Sequence, residues 1–137
     1  MSYNACQYEH INYFNPEYVD LILKLYLDCL GKTRCHKYDS WLKIGAIIFN
    51  EGGSFELLNV WSRQSNKYNY SDCAKLWKSF RSEKYMQLLT LATLKKYAFD
   101  DNPMLYKNIK NKIRNLPISS KIIKDEPNKL PNLKIVI

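Results

Sequence analysis

Asp39-Ser40-Trp41-Leu42-Lys43-Ile44-Gly45-Ala46-Ile47-Ile48-Phe49-Asn50-Glu51-Gly52-Gly53 is the stretch that decides how this chain folds. Trp41, Ile44 and Ile48 recur at helical spacing, and Ala46 and Ile47 widen them into a broad apolar face. Asp39 or Ser40 is placed to cap this helix and Gly52-Gly53 to end it. Gly45 in its interior costs about 1 kcal/mol relative to Ala, which a close helix–helix approach would offset.

Upstream, Asn15 reads as an N-cap, with Pro16 at the first helical position and Glu17 in the positive first turn. Val19, Ile22, Leu23, Tyr26, Leu27 and Leu30 form a helical stripe, and Gly31 offers a left-handed stop. Residues 1–14 read as an irregular lead-in, and Lys32, Arg34, His36 and Lys37 as a short basic loop. Downstream, Ser54 opens a segment carrying Phe55, Leu57, Leu58 and Trp61. A polar, aromatic loop over 62–70 follows, and Ser71 or a neighbour caps a helix with Cys73, Leu76, Trp77 and Phe80 inward. Thr90 begins another through Leu91, Leu94 and Ala98, and Asn102-Pro103 begins a basic one through Leu105, Ile109, Ile113 and Leu116. From Pro117 the chain reads as a Pro/Lys/Asn-rich tail, with room for one short strand over Leu133–Ile137. The expected fold is all-α, a small bundle of about five to six helices with an irregular basic tail. Trp41, Trp61 and Trp77 are assigned to its core. Residues 1–35 form a lead-in and first helix, 36–98 a helical module, and 99–137 a basic helix and tail.

Little here suggests catalysis. Gly52-Gly53 is not followed by the Lys-Ser/Thr of a phosphate-binding loop, and the carboxylates are scattered. Asp100-Asp101 beside Asn102 is more simply a helix break and cap. Cys6, Cys29, Cys35 and Cys73 include no CxxC pair, and the five-residue gap from Cys29 to Cys35-His36 is one that structural zinc sites rarely use. Cys29 and Cys73 fall on apolar stripes, where a free thiol packs as a small hydrophobe. The expectation is no enzyme, no cofactor and no metal. With no signal-peptide pattern and no run of eighteen apolar residues, the chain is expected inside the cell and away from membranes.

Charge is the informative feature. The net charge of +8 divides unevenly: residues 1–60 hold 5 Lys/Arg against 7 Asp/Glu, and residues 61–137 hold 16 against 6. Such a basic half can neutralise phosphates and release counterions; equally, it can be a solvated lysine-rich surface. Candidate contacts are Arg63, Lys67, Lys75, Lys78 and Arg81, with Lys95 and Lys96 further on. Tyr68 and Tyr70 can stack on unpaired bases, or pack over the core edge with their hydroxyls in water.

The run Tyr38-Asp39-Ser40-Trp41-Leu42-Lys43-Ile44-Gly45, then Phe49-Asn50, Gly52-Gly53, Trp61-Ser62-Arg63-Gln64-Ser65, Lys67-Tyr68, Cys73, Leu76-Trp77, Ser79-Phe80, Leu91, Leu94 and Ala98 resembles the primase C-terminal type-two domain. That module follows the catalytic domain in viral, phage and plasmid primases and primase-helicases. The resemblance covers about residues 36–98, without the first helix or the tail. It implies a non-catalytic accessory role in DNA replication, with no catalytic residue to carry over. Single-stranded or primer-template DNA is one expected partner. A primase or helicase protein, docked without DNA contact, is the alternative. The Lys/Asn-heavy composition is compatible with a large DNA virus and, if so, with the host cytoplasm or nucleus.

Overall fold

In a computed structural model, residues 18–81 and 88–116 are described, and they contain seven helices and no strand. These are α1 (Val19–Leu27), α2 (Thr33–His36), α3 (Tyr38–Asn50), α4 (Phe55–Ser62), α5 (Tyr70–Ser79), α6 (Leu91–Asp101) and α7 (Pro103–Arg114). The all-α bundle is as expected. The seventh helix is the basic loop after Gly31, whose Thr33–His36 winds into one helical turn. The Asn15-Pro16 start, Cys6 and the tail from Pro117 lie outside the described residues.

The α3 helix is the pivot, packed against α2, α4, α5 and α6. Its Ile44, Ala46, Ile47 and Ile48 are fully buried. They meet Ile22 and Leu23 of α1, Leu58 of α4, Leu94 of α6 and Ile109 of α7 in one cluster. That cluster runs from Val19 to Ile113, so the first helix and the basic helix share a core with residues 36–98. Gly45 sits where the helices crowd: a Cβ there would lie 3.2 Å from Phe80 Cζ and 3.4 Å from Leu58 and Leu76 methyls. The close approach offsets the propensity cost of glycine.

Several ends differ from the sequence reading. Helix α1 stops at Leu27, and Cys29 and Leu30 continue in tight turns that bond back to Tyr26 and Leu27 carbonyls. These turns satisfy the terminal carbonyls, so Gly31 supplies no left-handed stop; among described glycines only Gly52 has positive φ, at 84°. Gly52 does end α3, with Gly52 N–H on Phe49 O and Gly53 N–H on Ile48 O. At the start of α3 neither Asp39 nor Ser40 caps. Ser40 Oγ donates to Arg34 O at 2.7 Å, while Asp39 pairs with Lys43 at 3.2 Å. Thr90 also makes no side-chain cap. Its place is taken across the fold by Glu51, 3% exposed, whose Oε2 accepts the Leu91 N–H at 2.8 Å. Ser54 and Asn102 cap α4 and α7 as expected, accepting from Leu57 and Leu105 N–H.

Of the three tryptophans expected in the core, only Trp61 is fully buried. Trp77 and Trp41 lean on the cluster from its edge. Trp77 fits edge-on among Phe49, Phe55 and Phe80 at centroid distances of 5.2, 5.9 and 6.2 Å. An indole offers more ring than the α3–α4–α5 seam can enclose, so part of it faces water.

Candidate nucleic-acid interface

The segment from Trp61 to Arg81 is built on a stiff frame. Ser62 Oγ, buried, donates to Leu58 O at 2.7 Å and accepts the Trp41 indole N–H at 2.8 Å. Ser65 Oγ, also buried, accepts the Lys67 N–H at 3.1 Å and so fixes the turn into α5. The Trp61-Ser62-x-x-Ser65 spacing is therefore scaffold. Asn69, not Ser71, caps α5 by accepting the Asp72 N–H at 3.0 Å, which makes Tyr70 the first helical residue rather than loop.

Arg63, Lys67, Lys75, Lys78 and Arg81 are exposed, and none forms an ion pair among the described residues. Lys75, Lys78 and Arg81 follow at i, i+3 and i+6, opposite the buried Cys73, Leu76 and Phe80. Tyr70 is 59% exposed and rests edge-on against Phe55 at 5.7 Å. Tyr68 is different. Its ring is half-buried and its hydroxyl donates to buried Asn59 Oδ1 at 2.6 Å, not to water.

Lys95 and Lys96 belong elsewhere. They ride on α6, which packs against α1, α3 and α7, whereas α5 packs against α3 and α4. Lys96 also pairs with Asp100 at 3.4 Å. Arg34 is likewise committed: it forks onto both Asp101 carboxylate oxygens at 2.9 Å and lies 4.1 Å over the Tyr97 ring. Asp101 is thus the anchor of a long-range pair, more than a helix break.

Beside the cations lies a cleft of about 220 Å³, bounded by the end of α2, the first turn of α3, the α4–α5 loop and the start of α5. His36, Tyr38, Trp41, Lys67, Tyr68 and Asp72 are among its lining residues. Tyr38 is 67% exposed, and its ring stands 5.7 Å from that of Trp41. A shallower neighbouring hollow shares Tyr38, Trp41 and Asp72 and adds Lys75. Sequence reasoning missed Tyr38, His36 and Asp72. The only signal was the i, i+3 spacing of Tyr38 and Trp41 at a helix start, which reads equally well as packing.

Among the described residues no group of three or more His, Cys, Asp or Glu side chains is placed to hold an ion. Cys29, Cys35 and Cys73 are buried free thiols. Burial pushes Cys29 and Cys35 up to about 11 and raises Cys73 as well, so all three stay protonated.

The profile of Primase C terminal 2 (PriCT-2) matches residues 23–98, more than half of the chain. The chain belongs to the PriCT-2 family. The match begins inside α1, upstream of Tyr38, where the motifs that carry the resemblance begin, and the matched α1 residues Leu23, Tyr26 and Leu27 are buried in the core. The chain is also 31% identical over 101 residues to "Putative helicase 121R" of Invertebrate iridescent virus 3. That stretch is 69% of this chain and 11% of the viral protein. No solved structure matches. The PriCT-2 assignment associates the chain with primases in DNA replication. No helix among the described residues is long and apolar enough to cross a membrane.

Proposed function

We propose that this PriCT-2 chain is a non-catalytic accessory module that holds nucleic acid for a primase or primase-helicase inside the cell. The observation that carries the reading is the set of exposed, ion-pair-free cations Arg63, Lys67, Lys75, Lys78 and Arg81 beside exposed Tyr70. Lys24, Lys43 and Lys96 are paired with Asp28, Asp39 and Asp100 one helical turn away, while among the described residues exposed Lys32, Lys37, Lys107, Lys110 and Lys112 share the ion-pair-free state of the α5 row. Cations without internal partners are the ones free to displace counterions from phosphates. Lys95 and Lys96, on a different helix, are a secondary contact in this reading.

Titration of the protein with single-stranded and primer-template DNA across a salt series is the test. Log affinity should fall linearly with log salt, by roughly 0.7 per phosphate contacted on a single strand. Replacing Lys75, Lys78 and Arg81 together by Glu should weaken binding to every sequence about equally and flatten the slope. Absence of measurable binding at low salt defeats the reading. Docking to a primase or helicase protein then takes its place, and exposed Phe99 and Met104, on α6 and α7, favour that second reading.

A further inference from the structure

The cleft under Tyr38 and Trp41 is built differently from the cation row beside it. Its wall is aromatic, with Tyr38 exposed and the Trp41 indole pinned through its N–H to Ser62 Oγ. Its polar lining includes the Asp72 carboxylate together with His36, Lys67, Tyr68 and Asn69. Cations stand on both sides: Lys67 lines the cleft, and Lys75 lines the neighbouring hollow that shares Tyr38, Trp41 and Asp72.

We propose that this cleft takes one unstacked nucleobase and so makes the module selective for single strands. The inference rests on the nucleic-acid reading above and adds a site to it. Size argues for a single ring system. Drug-sized ligands need clefts of about 300–1,000 Å³, and 220 Å³ is smaller than that. Lys67 and Asp72 both line the cleft, so its charge is mixed, and the Asp72 carboxylate can accept hydrogen bonds from a base edge. A carboxylate has two acceptor oxygens, and guanine offers two adjacent N–H donors on its Watson–Crick edge, so guanine is the best-matched base. Stacking against an aromatic wall needs a base outside a duplex, while Lys67 and Lys75 remain available for phosphates on either side.

The test compares labelled single strands containing dG, strands of dT alone, and a duplex, at one low salt concentration, for wild type, Tyr38→Ala, Tyr38→Phe and Asp72→Asn. Tyr38 is exposed, so its truncation leaves the fold intact, as a circular dichroism spectrum and melt will show. Tyr38→Ala should lower single-strand affinity about tenfold, leave duplex affinity and the salt slope unchanged, and be rescued by Tyr38→Phe. Asp72→Asn should narrow the preference for dG over dT. If Tyr38→Ala is neutral and duplex binds as tightly as single strand, the base site is wrong, while an intact Lys75/Lys78/Arg81 effect keeps the interface reading. No DNA binding by wild type overturns both.

Discussion

Removing the Asp101 carboxylate should be among the most damaging single changes on the surface of this protein. Asp101 closes α6 and accepts three hydrogen bonds, from Gly31 N–H and from Arg34 Nε and Nη2, each at 2.9 Å. These tie the α1–α2 turn to the end of α6, some seventy residues along the chain. The side chains of Arg34 and Asp101 are 24% and 18% exposed, so solvent screens the pair only in part. A hydrogen bond to a charged group is worth roughly 1.5–3 kcal/mol, and breaking a fully buried pair costs about 3–5. Allowing for the remaining exposure, Asp101→Ala should cost about 2–3 kcal/mol, read from urea unfolding with an unchanged m-value. The pH dependence gives a second handle. The Arg34 hydrogen bonds, and after them the Gly31 N–H, outweigh desolvation and hold the Asp101 carboxyl below its ordinary range. The folded state therefore binds this proton more weakly than the unfolded chain does. The resulting stability is present above the ordinary Asp value of about 4 and is lost as pH falls through the lower folded value. Asp101→Asn should remove that part of the acid destabilisation. A cost below about 0.5 kcal/mol, the level of a screened surface pair, would refute the reasoning.

Three further outcomes are expected. Trp61→Ala should cost roughly 3–5 kcal/mol because Trp61 is buried, and Trp77→Ala about 2–3, since its ring is partly exposed; equal losses in thermal or urea unfolding would contradict the packing described. Gly52→Ala should cost about 1–2 kcal/mol in the same assay, from forcing a Cβ into φ 84° where no neighbour crowds it. Chelator treatment should leave the melting temperature unchanged and elemental analysis should find no stoichiometric zinc; a metal whose removal unfolds the domain would overturn the assignment of Cys29, Cys35 and Cys73 to packing.

The sequence by itself determined the local events: where apolar residues recur at helical spacing, where Ser54 and Asn102-Pro103 start a helix, and where Gly52 ends one. These are decided within one or two turns of chain, by side-chain period, by one hydroxyl or amide accepting a nearby N–H, and by a φ that only glycine adopts cheaply. It also determined that cations concentrate after residue 60, since charge is a property of composition. Only the tertiary structure decided what happens across distance. Glu51 caps α6 in place of Thr90, and Asp101 seizes Arg34 and Gly31, because partners 40 and 70 residues apart meet only when the bundle closes. The same closure leaves Trp41 and Trp77 at the rim and turns Tyr38 out beside Lys67 and Asp72. It also separates Lys95 and Lys96 from the α5 row. A residue's period says that it faces inward; how much room remains there is set by the helices that arrive from elsewhere.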